Sequence, residues 1–316
     1  VRSIEIHLAQ PRGFCAGVKR AIAIVERALA IHGSPIYVRH EIVHNRTVVQ
    51  DLKRRGAVFV NSLEEVPQGA TLIFSAHGVP RAVEEEAQLR GLKVFDATCP
   101  LVTKVHREVV KMHAQGKQIL IIGHAGHPEV EGTMGQVPDR IQLIEHIEDI
   151  DNIDAEDGSL AYVTQTTISV DESAAIVHAL RERFPRLDEP KKTDICYATQ
   201  TRQNAVRELA SRIELLLVIG SKTSSNSNRL KEVAEHHGTK AYLIENADAL
   251  DTAWFEGVHS IGITAGASAP EFLVQELLTR LKALFPALTV HTMPETPEQY
   301  AFPMPKGLWE NDLKEA

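Results

Sequence analysis

Cysteine is scarce in this chain, with three in 316 residues, at positions 15, 99 and 196. So few, odd in number and far apart, they do not fit the disulfide framework of a small secreted domain. No Cys-x-x-Cys pair occurs, so the spacing of an ordinary structural zinc site is missing too. Any joint role for the three thiols therefore requires a fold that brings distant turns together. Long apolar runs are also lacking, since none reaches the roughly 20 residues that span a bilayer. The N-terminus does not show the basic-then-apolar layout of a signal peptide, and the expectation is a soluble, cytoplasmic protein. Positive charge is in deficit. With 34 Lys and Arg against 42 Asp and Glu, the net charge of -8 argues against a nucleic-acid or anionic-membrane surface, although a local basic pocket remains open. The rest is ordinary globular composition, 43% apolar and 24% charged, in a length that accommodates two or more domains.

What the chain does contain is a turn used three times. Pro11-Arg12-Gly13-Phe14-Cys15-Ala16-Gly17-Val18 follows an alternating apolar run, Ile4 to Leu8, and precedes a helical pattern of Val18, Ile22, Val25 and Leu29. Cys15 thus falls at a strand-to-helix turn, where open backbone N–H groups and the helix dipole stabilise a thiolate. Cys99 and Cys196 stand in the same context. After each cysteine comes a strand and a polar turn, reaching His44, His127 and Ser224 at spacings of 29, 28 and 28 residues. A second strand follows, then a third that ends in another polar turn: Ser75-Ala76-His77-Gly78, Gln165-Thr166-Thr167 and Ala265-Gly266-Ala267-Ser268.

Strands alternating with helices imply parallel sheets with right-handed crossovers, and the repeat predicts an α/β fold of three similar units with small, mainly parallel sheets. These cover residues 15–98, 99–195 and 196–285 and are expected to surround a pseudo-threefold axis with a central cavity. Residues 1–14 are expected to add a strand to the last unit. Residues 286–316 form a proline-broken tail that is given no chemistry.

Ligands of parallel α/β units bind at the carboxyl ends of strands. Three thiolates converging there suit a soft metal centre. A cubane iron–sulfur cluster held by Cys15, Cys99 and Cys196 would keep one iron open, while zinc with three Cys and a His or water is the competing reading. The remaining lining is histidine, hydroxyl and amide at helix N-termini, a composition suited to an anion such as a diphosphate. Lys and Arg are largely absent from these turns, so the cradle is expected to depend on dipoles, hydroxyls and histidine protonation. Repeat position singles out His44, His77 and His127 among 15 histidines. Glu129 is a candidate general acid. Glu131 is its rival, and the sequence does not separate them.

These residues resemble the 4-hydroxy-3-methylbut-2-enyl diphosphate reductase family. The resemblance is carried by Pro11 to Val18, His40 to Asn45, Phe74 to Val79, Asp96 to Val102, Gly126 to Thr133, Gln165 to Thr167, Ser221 to Arg229 and Thr264 to Pro270. It implies a [4Fe–4S] cluster on Cys15, Cys99 and Cys196 with an open iron for the substrate's allylic hydroxyl. It implies a diphosphate held by His44, His77, His127, Ser224, Ser225, Asn226 and Ser268, with Glu129 and Thr166 delivering protons and orienting the hydroxyl. The implied reaction removes that hydroxyl as water with two electrons and two protons, giving isopentenyl and dimethylallyl diphosphates. Lys19 and Thr201 depart from the family's common residues but match no ligand position. No nucleotide-binding glycine fingerprint is present, so the expected electron donor is a small redox protein such as ferredoxin or flavodoxin.

Overall fold

The computed structural model describes residues 4–295 and 297–309. The end of the expected tail, 310–316, and residues 1–3 lie outside them. The first stretch runs β1 (Glu5–Leu8), α1 (Ala16–His32), β2 (Ile36–Arg39), α2 (Arg46–Arg54), β3 (Ala57–Val60), β4 (Thr71–Phe74), α3 (Arg81–Leu89) and β5 (Lys93–Asp96). The second contains α4 (Pro100–Ala114), β6 (Gln118–Ile122), α5 (Pro128–Met134), β7 (Ile141–Ile144), β8 (Leu160–Thr164) and α6 (Val170–Arg183). The third holds α7 (Tyr197–Ala210), β9 (Leu215–Ile219), α8 (Ser225–His236), β10 (Lys240–Ile244), β11 (Ser260–Ala265), α9 (Glu271–Leu284) and β12 (Thr289–Thr292).

Among the described residues three sheets form, with strand orders β3-β2-β4-β5, β7-β6-β8 and β10-β9-β11-β1-β12, and every strand pair in them is parallel. This is the α/β class with three small parallel sheets that the repeat predicts. β1 lies between β11 and β12, so the N-terminal strand belongs to the third sheet. β5, the last strand within residues 15–98, pairs with β4 of the first sheet, and the Cys99 N–H beyond it donates to Ala76 O after β4. The tail contributes an edge strand, β12, whose four residues are all exposed.

The chain divides into two compact units. One comprises Val1–Ala16, His44–Val48 and Tyr197–Ala301; the other comprises Gly17–Val43, Val49–Cys196 and Phe302–Ala316. The first unit carries the five-stranded sheet, whose central strand β9 is buried on both faces. Alternate residues of β9 enter different cores, Leu215, Leu217 and Ile219 packing with α9 residues Leu273, Leu277 and Leu281. Leu216 and Val218 pack with Val206 and Leu209 of α7 and Leu230 and Val233 of α8. A continuous apolar run is what a strand covered by helices on both sides requires. The second unit holds the other two sheets, and β6 shows the same division: Leu120 and Ile122 face Ile176 and Leu180 of α6, whereas Ile119 and Ile121 face Val105 and Val109 of α4. Among the described residues no helix is long and apolar enough to cross a membrane.

Two glycines let α8 approach the strand ends. A Cβ on Gly220 would lie 2.1 Å from Ser227 Oγ, and one on Gly266 would lie 2.0 Å from the same atom. Ser227 is fully buried there, and its backbone N–H donates to the N-cap residue Ser224. Gly220→Ala is therefore expected to destabilise the fold by about 1–3 kcal/mol through overpacking. Urea unfolding reads the loss, and Ser227→Gly added to the same chain should recover part of it.

Candidate functional site

Each cysteine is fixed by the same bond. The Cys15 N–H donates to Ala267 O at 3.2 Å, Cys99 N–H to Ala76 O at 3.0 Å, and Cys196 N–H to Thr166 O at 3.0 Å. Every acceptor belongs to the polar turn after a sheet's last repeat strand, β11, β4 or β8. The thiols are half-buried and sit at the starts of α1, α4 and α7, where the helix dipole favours negative charge. Cys99 occupies an N-cap position without a side-chain capping bond, leaving its sulfur to other partners. Among the described residues no three His, Cys, Asp or Glu side chains are grouped tightly enough to hold a single metal ion. A cluster asks something different, since each thiolate binds its own iron and the sulfurs stand apart. Three soft donors in one local geometry fit such a group.

In the first unit the Cys15 turn is continuous with the polar residues singled out from sequence. Ala267, whose carbonyl receives the Cys15 amide, donates its own N–H to Asn226 Oδ1 at 2.8 Å. That bond fixes the amide flip of Asn226 and presents its Nδ2 as a donor. Ser268 Oγ donates to His44 O at 2.9 Å, tying the last turn to His44. Ser224 caps α8, with Ser225 and Asn226 in its first turn. Tyr197 Oη accepts the Ala16 N–H at 3.1 Å, so the residue after Cys196 touches the residue after Cys15.

The second unit links Cys99 to Cys196 through a chain of contacts. His77 follows Ala76, and its ring meets that of His127 edge-on, with centroids 5.6 Å apart. His127 caps α5, its Nδ1 accepting the Glu129 N–H at 3.1 Å. A backbone N–H can only donate, so Nδ1 is the acceptor in this bond and the ring orientation is set by it. Gly132 of α5 packs on the same turn, and a Cβ there would sit 3.1 Å from the carbonyl carbon of Gly78. His106, half a helix away on α4, is buried against Gly78 and supports the turn from behind; burial lowers its pKa to about 4.

Glu129 is the most unusual group. It is 3% exposed, whereas Glu131 is exposed. Glu129 Oε1 accepts the Thr166 N–H at 2.6 Å, and Oε2 lies 3.0 Å from Thr166 Oγ1. Burial raises its pKa from 4.5 to about 7, with the nearby Asp194 charge adding to the rise and the two Thr166 bonds opposing it. Thr166 in turn carries the carbonyl that holds Cys196.

Sequence reasoning gave no role to Arg20, Lys104 and Arg202, because they lie on helices five or six residues beyond each cysteine rather than in the turns. Gln165 was placed in a last turn without a role; its Oε1 accepts the His124 N–H and its Nε2 donates to Thr167 Oγ1. The recurring position of the three cations was the available signal.

The family model described as "LytB protein" matches residues 6–282. The chain is 62% identical over 305 residues to the 4-hydroxy-3-methylbut-2-enyl diphosphate reductase of Bordetella pertussis, covering 96% of this chain and 94% of the relative. It is also 62% identical over 307 residues to the reductase of that name from Azoarcus sp., covering 97% and 98%. Among solved structures, the E-1-hydroxy-2-methyl-but-2-enyl-4-diphosphate reductase from Plasmodium falciparum superposes with a TM-score of 0.95 at 35% identity, covering 100% of this chain and 99% of that one.

A raised carboxyl pKa has a stability consequence. Between pH 4.5 and about 7 the folded chain keeps a proton on Glu129 that the unfolded chain has released, so this group's contribution to stability falls as pH rises through that window. Chemical denaturation at pH 5 and pH 8 should show native protein losing on the order of 2–4 kcal/mol more than Glu129→Gln. Parallel pH profiles for the two proteins would contradict the assignment.

Proposed function

We infer the chemistry of the site from one premise: the chain belongs to the LytB family, the 4-hydroxy-3-methylbut-2-enyl diphosphate reductases. It is an iron–sulfur oxidoreductase that removes the allylic hydroxyl of that diphosphate. Two electrons and two protons enter, the C–O bond breaks, water leaves, and isopentenyl and dimethylallyl diphosphates form. In our reading Cys15, Cys99 and Cys196 hold a [4Fe–4S] cluster with one iron free of protein ligands. When bound, that cluster supplies the electrons and a Lewis-acid position for the departing oxygen.

The protein's own residues do the rest. We assign the diphosphate to the donors presented at helix N-termini and last turns: His44, His77, His127, Ser224, Ser225, Asn226 and Ser268. None is a permanent cation, so binding depends on oriented N–H and O–H groups and helix dipoles. The His127 ring and the Asn226 amide are each oriented by a backbone N–H bond before substrate arrives, which lessens reorganisation in the reaction.

Proton delivery falls to Glu129 and Thr166. Glu129 Oε1 is filled by a backbone N–H, so a proton on this carboxyl resides on Oε2, facing Thr166 Oγ1. Thr166 can accept that proton while giving its own to the leaving hydroxyl, which then departs as water. A pKa near 7 keeps the acid loaded at neutral pH without making it too weak to donate. The single observation that carries this reading is the buried Glu129–Thr166 pair, one hydrogen bond from Cys196. We place the enzyme in the cytoplasm, with a small redox protein, ferredoxin or flavodoxin, as electron donor.

Glu129→Gln keeps the shape and the Thr166 amide bond but carries no transferable proton. It is expected to lower kcat about 100-fold or more while leaving diphosphate affinity within a few-fold, read by steady-state turnover and substrate titration. Cys99→Ser should lose cluster iron together with activity. Normal turnover in the first variant moves the acid to another group; full iron and activity in the second removes Cys99 from the ligand set.

A further inference from the structure

Each cysteine stands at the start of a helix, and each of those helices carries a cation five or six residues on: Arg20 on α1, Lys104 on α4, Arg202 on α7. Arg20 Nη1 donates to Thr98 O at 3.2 Å and Nη2 to Asp96 O at 3.4 Å, in the segment entering Cys99; its Nε donates to Pro303 O at 2.6 Å. Lys104 Nζ reaches Asp194 Oδ1 at 3.0 Å, Lys192 O at 3.4 Å and Thr193 O at 3.5 Å, in the segment entering Cys196. Arg202 donates to Gly13 O from Nε at 3.1 Å and Nη2 at 2.8 Å, in the segment entering Cys15.

We propose that Arg20, Lys104 and Arg202 are positioning residues forming a cyclic clasp, in which the helix that leaves one cysteine holds the backbone that leads into the next. Each contact lies inside one compact unit, and the order closes: 15 to 99, 99 to 196, 196 to 15. A surface ion pair would not show this regularity. Arg202 is fully buried and also binds Glu298 of the tail at 2.8 Å, so the tail is fastened to the Cys15 turn through it. Asp194 is gripped from both sides, by Lys104 on Oδ1 and by the Thr164 N–H at 3.1 Å on Oδ2.

Charge-assisted donors of this kind outlast neutral ones, and three of them hold the cysteine turns in place whether or not anything is bound. Their role in cluster retention rests on the ligand assignment above. The clasp itself does not.

The test uses anaerobically purified holoenzyme carrying Arg20→Met, Lys104→Met or Arg202→Met, each beside its conservative partner Arg20→Lys, Lys104→Arg or Arg202→Lys. Peptide-resolved hydrogen exchange and the rate of iron release to a ferrous chelator are measured. Arg20→Met should speed exchange roughly tenfold at Ala97, Thr98 and Cys99, Lys104→Met at Ile195 and Cys196, and Arg202→Met at Gly13 and Cys15. Iron release should quicken in each, and Lys104→Arg should restore the native rate. Loosening confined to the variant's own helix, spread evenly over the chain, or absent would overturn the clasp. If Arg202→Met does not fold, the other two positions decide. Protein without iron that still shows the next-cysteine pattern would sink the cluster assignment and leave the clasp standing.

Discussion

The amide of each cysteine is given to a carbonyl in the turn after a sheet's last repeat strand, and the rest of the site is built on that bond. It fixes where the sulfur begins, because a residue whose N–H is committed to a neighbouring turn cannot swing with the helix that follows. It also puts a candidate ligand-binding turn beside the thiol. Ala76 precedes His77, Ala267 precedes Ser268, and Thr166 is itself a candidate site residue, so one backbone bond aligns a candidate metal ligand with a candidate substrate contact. An amide left unmade in so enclosed a place costs more than the bond itself yields, which is why the geometry is repeated rather than varied.

The polar interior depends on how completely its groups are committed. Glu129 occupies a buried position that a free carboxylate would not tolerate, and Thr166 satisfies both of its oxygens. Burial pushes the proton on while the two Thr166 bonds pull the other way, and the outcome is an acid poised near neutrality. His127 Nδ1 accepts the Glu129 N–H and Asn226 Oδ1 accepts the Ala267 N–H, so the backbone fixes the orientation of both side chains. A proposed anion site with little lysine or arginine in its turns becomes understandable on this basis. Dipoles already locked by the fold need no reorientation when a charged ligand arrives.

Much of this was legible in the sequence, and for identifiable reasons. The α/β class followed from apolar runs such as Leu215 to Ile219, which only a doubly covered strand requires. The repeat of cysteine, middle turn and last turn survived in spacing, so His44, His77 and Ser268 could be singled out by position. Hidden were features set by long-range contact. That Glu129 is buried and Glu131 exposed depends on which face of α5 meets Thr166, and a seven-residue helix does not reveal that by pattern. The attachment of Cys99 to the first sheet depends on β5 pairing with β4. Arg20, Lys104 and Arg202 received no role from the sequence, because their acceptors lie far along the chain. The tail, read as featureless, places Glu298 on a buried guanidinium because a fully enclosed Arg202 demands a counter-charge.

The account stands on the three cysteines holding an iron–sulfur cluster with an exposed iron. Its most direct test is the iron, acid-labile sulfide and zinc content of protein purified without oxygen, with the visible spectrum taken before and after adding the hydroxylated allylic diphosphate. Iron and sulfide in comparable, near-stoichiometric amounts, with brown absorbance that shifts on adding the diphosphate, is the predicted result. Colourless protein that carries zinc would contradict it.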